Sequence, residues 1–258
     1  MAKIPMGLQL YSVREECKKD LPRVLEAVAK TGYDGVEFAG YYDYSAEQLR
    51  KLLDDNGLIC CGTHTGLPTI MGDALQATID FNKTLGNPYL VVPGLPRERT
   101  ESRAAWLETA KMFNQASERA RAQDMWVGYH NHHTEFTPLD GELPWDTFFG
   151  NTVQDVLMQL DSGNALHGGS GIVQFIERYP GRALTVHLKP YSPSLGKNNP
   201  HEGFKPLIGD DEIPWAEVFG CCETVGGTKW YIVEYESDLH PPLEAVDKCL
   251  QNLRRMGK

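Results

Sequence analysis

Eight short apolar segments separated by amphipathic stretches, in a chain of 258 residues, predict an α/β fold whose parallel strands close into a (β/α)8 TIM barrel. Three observations carry that expectation. The strand-type segments are nearly uninterrupted runs of Val, Leu, Ile and aromatic residues, as strands covered on both faces must be. The stretches between them have helical periodicity and helix-type ends. The turn after the first segment, Leu10-Tyr-Ser-Val-Arg-Glu15, lacks the Gly-rich phosphate loop that an open doubly wound sheet would carry there. The whole of 1–258 is expected to form one domain, a length that single barrels commonly reach.

The first strand is expected over 7–11. Asp20 then accepts from the orphan N–H groups of a helix over 20–32, Pro22 tolerates its first turn, and Leu21, Val24, Leu25 and Val28 form one apolar face. Gly32 supplies its stop. A second strand spans 35–39, after which Ser45 and Gln48 make a capping box ahead of Leu49, Leu52 and Leu53, closed by Gly57. The same rhythm predicts strands near 58–62, 89–93, 126–130, 156–161, 183–188 and 230–234, with helices near 73–85, 100–123, 145–150, 171–179, 214–225 and 241–256. The longest irregular stretch, 189–213, holds Pro190, Pro193, Gly196, Pro200, Gly203 and Pro206; loops of that length in compact domains are often functional lids.

A formal net charge of −10 argues against nucleic acid or an anionic membrane as partner, because neutralising phosphates needs clustered Lys and Arg. The basic residues between Arg97 and Arg121 are interspersed with acidic ones and read as a solvated surface. No segment is apolar enough to span a bilayer, and the N-terminal residues show no secretory pattern, so the cytoplasm is the expected location. Cys17, Cys60, Cys61, Cys221, Cys222 and Cys249 contain no C-x-x-C pair and read as reduced, packing thiols.

In a parallel barrel all strands point their C-terminal ends to one face, so polar residues there converge despite wide separation in sequence. Reading off the strand ends gives Tyr11, Glu37, His64, His130-Asn-His132 with Glu135, Asp161, His187 with Lys189, and Glu234 with Glu236. Glu135, Asp161, His187 and Glu234, from four consecutive strands, make a candidate shell for one divalent metal ion. Three carboxylates and one imidazole suit Mn2+ first, with Mg2+, Co2+ or Zn2+ as alternatives. Strand alternation aims His130 and His132 to one face while Glu135 lies just beyond it, which makes His132 the reserve ligand. Lys189 shares the face of His187, where an ammonium can stabilise an oxyanion.

Gly35-Val-Glu-Phe-Ala-Gly40, Tyr129-His-Asn-His-His-Thr-Glu-Phe136, Gln159-Leu-Asp-Ser-Gly-Asn164, Val186-His-Leu-Lys189 and Ile232-Val-Glu-Tyr235 together resemble the sugar phosphate isomerase/epimerase family with a xylose-isomerase-like barrel, over essentially the whole chain. That resemblance implies Glu135, Asp161, His187 and Glu234 as metal shell and an isomerase or epimerase acting on a keto-sugar. A proton next to the carbonyl would be abstracted through a metal-held enediolate, with Glu135 and Glu234 as the base and acid pair. The alternative is a lyase, a dehydratase or an enzyme eliminating from 3-oxo-glycosides, with His130, His132 or Lys189 assisting the leaving group. Tyr11, Glu37, His64, His130, Asn164 and His201 are the expected contacts to the sugar. The resemblance also implies a homo-oligomer or a small accessory subunit. Ketose 3-epimerases carry a histidine where this chain has Asn164 and an arginine where it has the Pro-rich Tyr191-Ser-Pro-Ser194, which argues against simple ketose epimerisation. The metal-dependent apurinic endonucleases of the same fold need three metals and a basic DNA face, which this acidic chain lacks.

Overall fold

Each strand of the protein pairs in parallel with the next in chain order, and the last closes on the first. The structure is a computed structural model and describes residues 3–258. Among those residues the barrel strands are β1 (Met6–Gln9), β2 (Gly35–Ala39), β3 (Ile59–His64), β4 (Tyr89–Val92), β5 (Trp126–His130), β6 (Leu157–Asp161), β7 (Thr185–Leu188) and β8 (Trp230–Val233). The principal covering helices are α1 (Arg14–Thr31), α2 (Ala46–Asn56), α3 (Ala74–Leu85), α4 (Arg103–Arg121) and the short α5 (Pro144–Phe149), α6 (Ser162–His167) and α7 (Val173–Arg178). Then come α8 (Pro193–Gly196), α9 (Pro200–Gly203), α10 (Trp215–Cys221) and α11 (Pro242–Arg255). The expected (β/α)8 barrel is the fold. None of the described helices is long and apolar enough to cross a membrane.

Alternation along the strands divides the interior from the exterior. Outward-facing Leu8, Val36, Phe38, Val92, Tyr129, Met158, Leu160, Val186 and Tyr231 join the large apolar layer under the helices. Inward-facing Cys61, Tyr89, Val91, Leu157, Trp230 and Ile232 form a separate cluster at the N-terminal end of the barrel. Two residues further along a strand the inward positions become polar: Leu157 is followed by Gln159 and then Asp161, and Ile232 by Glu234. The barrel is therefore plugged with hydrocarbon below and built of polar side chains above, which puts the chemistry at its C-terminal face.

Local signals account for several helix ends. Ser45 and Gln48 form the expected capping box, and Gly32 (φ 99°) and Gly57 (φ 66°) end their helices in the left-handed conformation. The helix expected from Asp20 starts earlier, at Arg14, and its backbone leaves helical geometry at Asp20 (φ −160°, ψ 81°). There the Asp20 carboxylate accepts from Arg23 N at 3.1 Å, so the predicted cap exists inside a longer, kinked element. The first strand ends at Gln9, short of the expected Tyr11, because Leu10–Val13 turn into a single 3-10 turn.

The long stretch 189–213 departs most from expectation. It is a folded wall rather than an irregular loop: α8 and α9 pack across the buried Tyr191 ring, and Ser192 N donates to Gly203 O at 2.8 Å. A side chain at Gly196 or Gly203 would collide with that ring. The Tyr235 hydroxyl ties the wall to the end of β8 by donating to Lys205 O at 2.6 Å.

Candidate metal centre and active site

His130 ends β5, Asp161 ends β6, His187 lies in β7 and Glu234 follows β8; all four are buried, and one ligand atom from each lies within 4.8 Å of the others. Asp161 shows what the cluster lacks. Its Oδ1 caps α6 by accepting from Asn164 N at 2.6 Å, while Oδ2 is buried without any hydrogen-bond donor, 3.9 Å from His187 Nδ1. A buried carboxylate oxygen left without a donor is costly, and a cation would satisfy it. The donor set, two imidazoles and two carboxylates, could hold a metal ion.

Beneath the cluster lies a fully buried polar floor. Glu37 Oε2 accepts from Gln9 Nε2 at 2.7 Å and faces His187 Nε2 at 2.6 Å; Glu37 Oε1 accepts from Gln159 Nε2 at 2.8 Å. The Gln159 carbonyl oxygen faces His64 Nε2 at 2.7 Å and His130 Nδ1 at 3.1 Å, and its amide also donates to Thr185 Oγ1 at 2.9 Å. A side chain at Gly62 would occupy the space of the Glu37 carboxylate, so β3 needs glycine there for close approach.

Charge polarises this arrangement. Burial disfavours the charged form of His187, but Glu37 and Glu234 outweigh it and push its pKa up to about 10. Burial likewise raises Asp161, to about 7, against the opposing pull of Lys189. Burial opposes ionisation of Glu234 and Glu37 as well. Lys189 and His187 nevertheless hold Glu234 well below the usual carboxylate range, and His64 and His187 hold Glu37 down. Burial drives His130 well below the ordinary histidine value and lowers His132 too. The Lys189 ammonium is buried yet kept charged by Glu234 (3.8 Å), Asp161 and the ion pair with Glu236.

A cavity of about 1100 Å3 opens above the cluster, and Tyr11, His64, His130, His132, Asn164, Lys189, His201 and Glu234 all line it. Two expected site residues lie elsewhere. Glu135 is outside the cluster: its carboxylate accepts from the Tyr129 hydroxyl (2.6 Å), from His132 N (2.9 Å) and from the Thr134 hydroxyl (3.2 Å), fastening the turn after β5. His130 stands in the cluster instead, because it is the last residue of the strand on the inward face, whereas the chain has already left the strand at Glu135. Glu37, expected to touch substrate, is wholly buried in the floor below the cavity, where it contacts His187. Sequence reasoning also missed Gln9, Gln159 and Asn131. Asn131 stitches β5 to β6, its Oδ1 accepting from Asp161 N at 2.8 Å and its Nδ2 donating to Asp161 O at 3.2 Å. A signal was available for the two glutamines: an amide in mid-strand among apolar neighbours must find buried partners.

The family model described as xylose isomerase-like TIM barrel matches residues 25–256. A sugar phosphate isomerase/epimerase from Parabacteroides distasonis is similar in structure, with a TM-score of 0.80, 27% identity and coverage of 98% of this chain and 94% of the other. The rhizopine catabolism protein MocC of Rhizobium meliloti is 22% identical over 270 residues, covering 92% of this chain and 82% of MocC. The crystal structure of IOLI protein with a bound zinc atom shares the fold at a TM-score of 0.73 and 15% identity, covering 98% of this chain and 97% of its own.

Proposed function

Since the chain belongs to the xylose isomerase-like TIM barrel family, we propose that it is a divalent-metal-dependent isomerase or epimerase acting on a keto-sugar by proton transfer next to the carbonyl. The observation that carries this reading is the buried His130, Asp161, His187 and Glu234 cluster with its unpartnered Asp161 Oδ2, open to a large cavity. These four residues would hold the ion. With two imidazoles in place of the single one expected from sequence, the set favours Mn2+, Co2+ or Zn2+ over Mg2+, and the zinc in IOLI protein supports that choice. When bound, the ion supplies Lewis acidity that makes a hydrogen next to a carbonyl easier to remove.

The chain's own groups then divide the work. Glu234, held ionised, is the base that takes the proton. His132, an exposed imidazole whose pKa partial desolvation lowers, lines the same cavity and takes the partner role expected of Glu135, passing a proton to or from the opposite side of the substrate. Lys189 stays cationic beside Glu234 and stabilises negative charge on a substrate oxygen. Asn164, His64 and Tyr11 line the cavity with polar groups that can bind sugar hydroxyls.

One observation favours a second reading, elimination from a glycoside by the same proton abstraction. The cavity exceeds the 300–1,000 Å3 usual for ligand pockets, and it continues past the cluster to His133, His167, His201 and Phe204, leaving space for a second group beyond the sugar. The test is deuterium exchange by NMR in D2O, with metal-loaded protein and a panel of ketoses, inososes and 3-oxo-glucosides. Exchange next to the carbonyl that disappears with chelator and in Glu234→Gln is expected, and release of an alcohol from the glycosides marks the lyase. Metal-loaded protein that exchanges no hydrogen on any of them overturns the proposal.

A further inference from the structure

We propose that Glu37 is the positioning residue of the metal centre, a single carboxylate that decides which nitrogen each of the two imidazoles presents, His187 directly and His130 through Gln159. The inference rests on the metal reading above and on the direction of each hydrogen bond in the floor.

A carboxylate only accepts, so everything that meets Glu37 must donate. Gln9 is oriented independently, since its Oε1 already accepts from Tyr11 N at 3.0 Å; its amide nitrogen is therefore the end that meets Glu37 Oε2. His187 meets the same oxygen through Nε2 at 2.6 Å, so Nε2 carries the hydrogen. That leaves Nδ1, 2.8 Å from Glu234 Oε2 and 3.9 Å from Asp161 Oδ2, as the nitrogen facing the cluster. Metal-ligating histidines are commonly held in this way, with the far N–H on a carboxylate.

The second arm runs through Gln159. Its amide nitrogen is drawn to Glu37 Oε1 and Thr185 Oγ1, which turns its carbonyl oxygen toward His64 Nε2 and His130 Nδ1. Both of those nitrogens must then donate. His130 Nδ1 carries the hydrogen, and His130 Nε2 keeps its lone pair for the cluster. Replacing Glu37 by glutamine breaks this logic at one point, because an amide N–H2 would face either the donors Gln9 and His187 or the donor Gln159.

The experiment is a Zn2+ titration of metal-free protein against a chromophoric chelator, combined with long-range 1H–15N spectra of the histidine-labelled zinc form. The wild type should bind through His187 Nδ1 and His130 Nε2. Glu37→Gln should keep its near-UV circular dichroism and bind Zn2+ about 10–100-fold more weakly. Should that variant fold poorly, Gln159→Met isolates the second arm: His130 loses its fixed tautomer while His187 still coordinates through Nδ1. Coordination of the wild type through His187 Nε2, or a Glu37→Gln variant that binds Zn2+ as tightly as wild type, overturns the proposal alone. A folded wild type that binds no Zn2+ overturns it together with the metal reading. The titration uses no substrate, so its outcome is separate from the reaction assigned above.

Discussion

Gly62→Ala is a small change whose consequence can be worked out from the barrel interior. A register shift between β2 and β3 sets Glu37 opposite Gly62, and the added methyl would lie 3.0 Å from Glu37 Cδ and 3.1 Å from Cγ, nearer still to Oε1. Carbon pairs settle at about 3.5–4.0 Å, so the carboxylate must withdraw by roughly 1 Å; its 2.8 Å bond from Gln159 then leaves hydrogen-bonding range. Overpacking costs about 1–3 kcal/mol, and a lost hydrogen bond to a buried charge about 1.5–3 kcal/mol. A total of about 2.5–6 kcal/mol corresponds, at about 2–4 °C per kcal/mol for a domain of this size, to a fall in Tm of about 5–24 °C. Scanning calorimetry of the metal-free protein measures it. The cause is separable from a generic packing defect by a double-mutant cycle: a Glu37→Ala background removes all three of the methyl's nearest contacts, and the added cost should fall below about 1 kcal/mol. A Tm shift under about 2 °C in the single variant, or equal costs in both backgrounds, would refute the account of the floor.

Arg182 is 3% exposed and donates to Val156 O (3.0 and 2.9 Å), Phe149 O (3.0 Å) and the Thr152 hydroxyl (2.6 Å); burial lowers its pKa only to about 10, so it remains charged at neutral pH. Arg182→Met leaves those carbonyls dry and should cost about 2–5 kcal/mol in guanidinium unfolding; a loss under about 0.5 kcal/mol contradicts it. Because His187 titrates near 10 and Asp161 near 7 without metal, Zn2+ binding at pH 7 should expel between one and two protons, read from calorimetry in buffers of differing ionisation enthalpy. Zero release would contradict the raised values of His187 and Asp161. The same raised His187 pKa stabilises the metal-free fold fully below about pH 6.5, its unfolded value, and that contribution should fade as pH rises through about 10. A metal-free Tm that climbs over that interval contradicts the assignment.

How legible these features are in the sequence follows from how local their causes are. The Ser45 capping box, the Gly32 and Gly57 stops and the apolar strands each depend on a few adjacent residues, and the structure contains them. The short α8 and α9 depend on packing across Tyr191, a contact no periodicity announces. Asp161, His187 and Glu234 were readable as strand ends on the inward face. On β5 the same parity rule, carried from Gly128, selects His130; Glu135, read together with the strand ends and also implied by the family resemblance, lies where the chain has already left the strand.

The floor was the least legible part, and Gln159 shows why. Its four side-chain partners come from β2, β3, β5 and β7, at sequence separations of 122, 95, 29 and 26 residues. No local pattern can encode such a set, because the partners meet only when the barrel closes and brings inward positions of non-adjacent strands to one level. Closure, in turn, is specified by the hydrophobic pattern of the strands, which says nothing of hydrogen-bond direction. The orientation of both imidazoles is thus a property of the closed barrel, and a substitution at Glu37 can alter the metal centre while leaving the strand pattern that specifies the fold unchanged.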